Sequence, residues 1–178
     1  MTGGLELMGY GVCLRQFEPH DVAPLTRALA DPLIARYTRW PLRPSEQAVA
    51  RLFRDANDEA AGRRRVELAI TPGSRAAAVG SAGVEVDPSG ESVEVFYWLD
   101  ARARGESYVT RAIDLLSEYS CSEMAVHGVR AVVHPRNASS KRVLARCGFA
   151  LVGRTEDGAL EFLRTGNLRR SRRWGNVR

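Results

Sequence analysis

With 178 residues, 44% of them hydrophobic and 26% charged, the chain is long enough for one domain with its own core and ordinary in balance for a globular protein. No apolar run approaches the roughly 20 residues needed to cross a bilayer, and residues 1–10 show neither the basic region nor the apolar stretch of an export signal; a cytoplasmic location without membrane contact is expected. The formal net charge of +5 sits at one end, because residues 164–178 hold six arginines and no acid and leave the rest at −1.

Gly11–Phe17 reads as a first strand. Asp21 is placed to cap a helix that accommodates Pro24 in its first turn and sets Val22, Leu25 and Leu29 on one face. Asp31-Pro32 repeats that signature, a cap followed by proline at the first helical position. Ser45 opens another helix, whose Val49, Leu52, Phe53, Ala56 and Ala60 follow the 3.6 period. From Arg64 the period drops to two: Val66, Leu68 and Ile70 alternate with polar neighbours, and a turn over residues 71–74 leads to a strand over Ala77–Val86. A second turn at residues 87–90 introduces a strand over Ser92–Leu99, with Val93, Val95, Tyr97 and Leu99 on one face and Glu94, Phe96 and Trp98 on the other. A loop bearing arginine and glycine follows, then a long helix to about Val126, a strand over Val129–His134, a helix over Asn137–Cys147, and closing strands at Phe149–Gly153 and Ala159–Leu163.

The order, β-α-α-β-β-β-α-β-α-β-β, predicts an α/β (α+β) fold. Hairpins precede a β-α-β crossover, so the central sheet of about seven strands is mixed, mostly antiparallel, and covered by helices on both faces. Residues 1–166 are read as one domain and residues 167–178 as a basic, flexible tail, to which any nucleic-acid contact is confined. Cys13, Cys121 and Cys147 form no C-x-x-C pair, and His20, His127 and His134 lack ligand spacing, so no metal site is expected.

Two stretches carry chemistry. In the first, Tyr97–Val109, a strand ends, a loop containing Gly105 follows and a long helix begins. Free backbone N–H groups and the helix dipole make such a junction suited to a pyrophosphate, and glycine permits close approach to the main chain. A plain connector has the same outline. The second stretch runs from Pro135 to Phe149, where Asn137 is a good helix N-cap and Ser140 falls in the first turn.

Together these stretches resemble the GNAT acetyltransferase superfamily, whose loop pattern (Gln/Arg)-x-x-Gly-x-(Gly/Ala) is occupied by Arg102, Gly105 and Ser107. Pro135, Asn137, Ser140, Arg142, Val143, Leu144, Gly148 and Phe149 are similar to the run typical of the ribosomal-protein-alanine (RimJ/RimL) branch. Leu14–Phe17, Asp21 and Asp31-Pro32 through Tyr37 also resemble its opening. The resemblance, over roughly residues 10–165, implies an N-acyltransferase with acetyl-CoA as donor and a primary amine as acceptor, either a small molecule or a protein N-terminus, in a monomer or homodimer. It also implies donor contacts at Leu99, Arg102, Arg104, Gly105, Glu106, Ser107, Tyr108, Val109, Asn137 and Ser140, with an oxyanion-stabilising amide near Leu99. The matching serine in relatives is placed to protonate the departing thiolate; many superfamily members use a tyrosine four positions later, where this chain has Leu144.

Glu94 is the best general base the sequence offers, since a carboxylate can take the ammonium proton through one water and apolar neighbours raise its pKa. Glu156 and Glu161 are substitutes. Arg36, Tyr37 and Trp40 are candidates for the acceptor wall. Ser107, where the pattern wants glycine or alanine, is expected to cap the long helix, and Glu106 adds negative charge beside the pyrophosphate. These departures support an alternative: an acyl-CoA-binding or partner-binding module without turnover.

Overall fold

The computed structural model describes residues 5–61 and 64–165. The basic tail therefore lies outside the described residues. Strand β1 (Glu6–Gly9) pairs with β2 (Val12–Arg15) through a two-residue turn in which Tyr10 and Gly11 both have positive φ, 54° and 77°. That is the geometry a tight hairpin needs. The single strand expected over Gly11–Phe17 is thus the shorter second arm of a hairpin. Three helices follow, α1 (Val22–Ala28), α2 (Pro32–Tyr37) and α3 (Glu46–Ala61), at the three starts read at Asp21, Asp31 and Ser45, one more than the β-α-α-β order counts. Asp31 accepts a hydrogen bond from the Leu33 N–H and Ser45 from the Ala48 N–H, as their capping roles require.

The remaining strands are β3 (Arg65–Thr71), β4 (Gly80–Val86), β5 (Ser92–Leu99), β6 (Gly128–Val133), β7 (Ala150–Arg154) and β8 (Leu160–Arg164). Helix α4 (Tyr108–Glu123) joins β5 to β6, and α5 (Ala138–Arg146) follows β6. Among the described residues the sheet has eight strands, one more than the approximate seven expected, in the order β1-β2-β3-β4-β5-β6-β8-β7, and β5 and β6 are its parallel pair. Leu25 of α1, its C-cap Leu29, and Val49 and Phe53 of α3 pack with Ala69 and Trp98 on one face of the sheet. Helix α4, through Ala112, Ile113, Leu115 and Leu116, packs with Leu68, Ile70, Val84 and Val95 on the other. Because helices cover both faces of β3, Glu67 and Thr71 are buried along with its apolar residues, against the half-exposed alternation expected. Leu52 is exposed although it continues the apolar stripe of α3.

Asp21 does not cap α1. Its side chain is 0% exposed and meets Arg15, itself 5% exposed, in a two-pronged pair at 2.7 and 3.0 Å. It also accepts the backbone N–H groups of Glu18 and Ala78, each at 2.9 Å, which ties β2 to the segment before β4. Desolvation by itself would raise the Asp21 pKa, but the Arg15 guanidinium and the two backbone donors outweigh it and hold the carboxyl below its ordinary range. Asp21→Asn leaves a buried guanidinium without a counter-charge, so thermal melts should show a loss of about 3 kcal/mol and a Tm lower by on the order of 10 °C. With the folded pKa depressed, this stabilisation is complete above the ordinary carboxylate pKa and lost as pH falls through the folded value; the gap between wild type and mutant closes in acid.

Candidate active site

Register makes the site. β5 and β6 are paired only at residues 92–94 with 128–130, and beyond Glu94 they part. On its other side β5 stays paired with β4 up to Leu99, and the Asp100 N–H is held by the Val79 carbonyl at 2.8 Å. Since backbone donors alternate along a strand, the amides of Tyr97 and Leu99 face the side that β6 has left. A cavity of about 610 Å³ occupies this split and passes from one face of the sheet to the other.

Val95, Tyr97 and Leu99 line the cavity on the face that carries α4 and α5, together with Gly105, Ser107, Tyr108 and Val109 from the helix junction and Asn137 and Ser140 from α5. Gly105 has φ +95°, and a Cβ there would meet nothing within 4 Å. The glycine therefore answers a backbone requirement and leaves open space in front of the loop. Ser107 is the N-cap residue of α4, but it makes no side-chain cap and sits at φ 59°, a left-handed position; the capping role expected of its hydroxyl is not the one it has. Arg111, one turn into α4, donates to the Glu106 carbonyl at 2.8 Å and lies over the Tyr108 ring at 5.6 Å, bringing positive charge to the loop. Arg104 reaches the cap of α2, donating to Asp31 at 2.6 Å and weakly to the Leu99 carbonyl at 3.4 Å. Arg102 pairs with Asp100 at 2.6 Å and is 72% exposed; neither it nor Glu106 lies on the cavity wall.

Asn137 caps α5, accepting the Ser140 N–H at 3.1 Å. Close to Ser140 lies the Tyr97 hydroxyl, buried and without a well-formed hydrogen bond. Burial pushes the Tyr97 phenol well above its ordinary pKa, with Ser140 pulling the other way, so the pair stays protonated at neutral pH. Tyr97 carried no role in the sequence reading, although its alternation with Glu94 already placed it on the opposite face.

On the other face, Glu94, Phe96 and Trp98 meet Arg36, Tyr37, Arg39 and Trp40 across the cavity. Glu94 is open to solvent yet flanked by protein: burial pushes its pKa up, while the charges of Arg130 and Arg39 pull it back. Arg130 is itself engaged by Glu161, which leaves that acid, a substitute base in sequence, in an ion pair. Phe96 lies across Gly83, where a Cβ would come within 2.5 Å of its ring, and Arg65 stacks over it at 4.2 Å. Trp40 packs edge-on against Trp98, the centroids 5.6 Å apart. Tyr37 contacts His134, whose Nδ1 accepts the Arg136 N–H. Cys147 is buried off the cavity wall and its thiol is pushed up to about 12 by burial, which makes it a poor nucleophile. Among the described residues no group of three or more His, Cys, Asp or Glu could hold a metal ion, and no helix is long and apolar enough to cross a membrane.

The sheet is thus opened between two parallel strands, with the helix junction on one face of the gap and the Glu94 carboxylate on the other. Residues 12–150 match the acetyltransferase (GNAT) domain, and the chain belongs to that family. A stretch of 53 residues is 40% identical to the "Probable N-acetyltransferase YjcK" of Bacillus subtilis (strain 168), covering 30% of this chain and 29% of that protein. The chain thus spans less than a third of that relative's length in the match. The fold is similar to RimJ of Mycobacterium smegmatis in complex with CoA-disulfide, at 20% identity and TM-score 0.76 over 92% of this chain and 87% of that one. It is also similar to RimL, a ribosomal L7/L12 alpha-N-protein acetyltransferase in complex with coenzyme A, at 13% identity and TM-score 0.79 over 93% and 100%. MccE, a microcin C7 self-immunity acetyltransferase in complex with acetyl-CoA and AMP, gives 18% identity and TM-score 0.75 over 88% and 93%.

Proposed function

We propose that the protein transfers an acetyl group from acetyl-CoA to a primary amine by direct attack. The observation that carries this reading is the position of Glu94: it lies where β5 and β6 part, on the sheet face opposite the helix junction, with the split between them. The donor lies on the α4–α5 face, its pyrophosphate against the amides of the loop from Arg104 to Val109. The acceptor enters from the face of Glu94, against Arg36, Tyr37 and Trp40. Glu94 takes the ammonium proton through a water, the amine nitrogen bonds to the thioester carbon, and the amide of Leu99 or Tyr97 meets the developing oxyanion. As the carbon–sulfur bond breaks, Ser140 gives its proton to the thiolate and is reprotonated, through water, by the second proton that the nitrogen releases on becoming an amide; Tyr97 stands behind it as a second, phenolic donor. The RimL neighbour acts on a protein α-amine, which supports an N-terminus as one form of the acceptor.

Purified protein incubated with acetyl-CoA and pools of primary amines should release free thiol with at least one pool. Tight CoA binding with no release from any pool would instead identify an acyl-CoA-binding module. Ser140→Ala should lower kcat by roughly ten- to a hundredfold, the modest end of general-acid effects for a thiol already acidic enough to leave. Steady-state rates between pH 6 and pH 9 should show a uniform deficit, because no group that titrates in that range has been removed.

A further inference from the structure

The acceptor face has an uneven charge distribution. Arg65 is engaged by Glu59, Glu67 and Glu85 at 3.2, 3.2 and 2.7 Å, and Arg130 by Glu161. Arg36 and Arg39 are exposed on the wall opposite Glu94 and join no ion pair among the described residues. Arg36 lies over the Tyr37 ring at 5.4 Å. Arg39 is near enough to Glu94 for its charge to act on that carboxylate.

We infer that the acceptor is an amine carrying a carboxylate close to its nitrogen, the ammonium facing Glu94 and the carboxylate facing Arg36 and Arg39. This rests on the acyl-transfer reading of the same cavity and narrows it. A polycationic acceptor would bring a second positive charge against two arginines with no carboxylate left to receive it, so polyamines and lysine-rich termini are rejected by repulsion as much as by lack of contacts. A free amino acid and an acidic peptide N-terminus share the required chemistry.

Both sources can be tested on the full chain. The peptides Ser-Glu-Glu-Ala-amide, Ser-Gln-Gln-Ala-amide and Ser-Lys-Lys-Ala-amide, and the pair phenylalanine and phenylalaninamide, are titrated calorimetrically into protein saturated with CoA. The same compounds are then offered with acetyl-CoA while thiol release is followed. The acidic member of at least one set should bind and react at least tenfold better than its cationic or neutral counterpart. The set that shows the larger ratio identifies the source, amino acid or N-terminus. Arg36→Gln with Arg39→Gln, two exposed sites whose melting temperature serves as the folding control, should bring that ratio close to one. No preference for the carboxylate-bearing member in either set, no binding of any such member, or an unchanged ratio in the double mutant overturns the inference. Preferential binding of the acidic probes with no thiol release supports the inference and removes the acyl-transfer reading instead.

Discussion

Gly105→Asp should reduce CoA affinity by more than a thousandfold, beyond the reach of calorimetry, while the protein stays folded. Gly105 has φ +95° and a Cβ there would meet nothing within 4 Å, so the fold can take a side chain, which on the proposed donor placement stands beside the pyrophosphate. Two penalties follow. The carboxylate stands against a phosphate charge at close range in a partly desolvated cleft, where Coulomb energies are several times those in water. The backbone is also forced to hold a non-glycine residue in a left-handed conformation, at a cost of about 1–2 kcal/mol. Gly105→Asn separates the two, since asparagine tolerates this conformation and has no charge. It should weaken CoA by about tenfold and keep measurable turnover. Equal, undetectable binding in both mutants would assign the effect to backbone strain; unchanged affinity in a folded Gly105→Asp protein would place the pyrophosphate elsewhere.

The same loop shows how far local sequence reaches. The strand–glycine–helix junction was legible because Gly105 is a local requirement, and the capping of α5 by Asn137 was legible because the cap and its donor, the Ser140 N–H, are three residues apart. Ser107 was not. Its hydroxyl satisfies a local rule for capping, but the turn from Gly105 puts its backbone at φ 59° and takes the side chain away from the orphan amides. Asp21 failed for the complementary reason: a buried Arg15 and the Ala78 amide, 57 residues away, offered more than the start of α1. The opening hairpin was missed because its turn is Tyr10-Gly11, without the asparagine or second glycine that normally marks a two-residue loop, and because β1 is only four residues long. Within the site, alternation along β5 separated Glu94 from Tyr97 correctly. The approach of Tyr97 to Ser140, and that of Arg39 to Glu94, depend on tertiary packing between elements that no period in the sequence connects.

Glu94→Gln should lower kcat/KM by about a thousandfold at pH 7, within the range expected for loss of a general base, and the deficit should shrink steadily as pH rises. The replacement keeps shape and position on β5, so the melting temperature and CoA affinity serve as internal controls. The sign of the pH effect comes from the base itself. Burial pushes the Glu94 carboxyl above its ordinary value, with Arg130 and Arg39 opposing, so in wild type the protonated, inactive form persists to a higher pH than for a free carboxylate. The acid limb of the wild-type profile should lie correspondingly high and rise as Glu94 loses its proton. In the mutant that limb disappears; what remains follows the ionisation of the acceptor amine, because only amine already neutral in solution can attack. Removing Arg130 or Arg39 as well would shift the wild-type limb upward but could not restore it in Glu94→Gln. Profiles that are parallel in wild type and mutant, offset by a constant factor, would show that Glu94 positions the acceptor without taking its proton. The rate deficit would then appear in KM rather than in kcat.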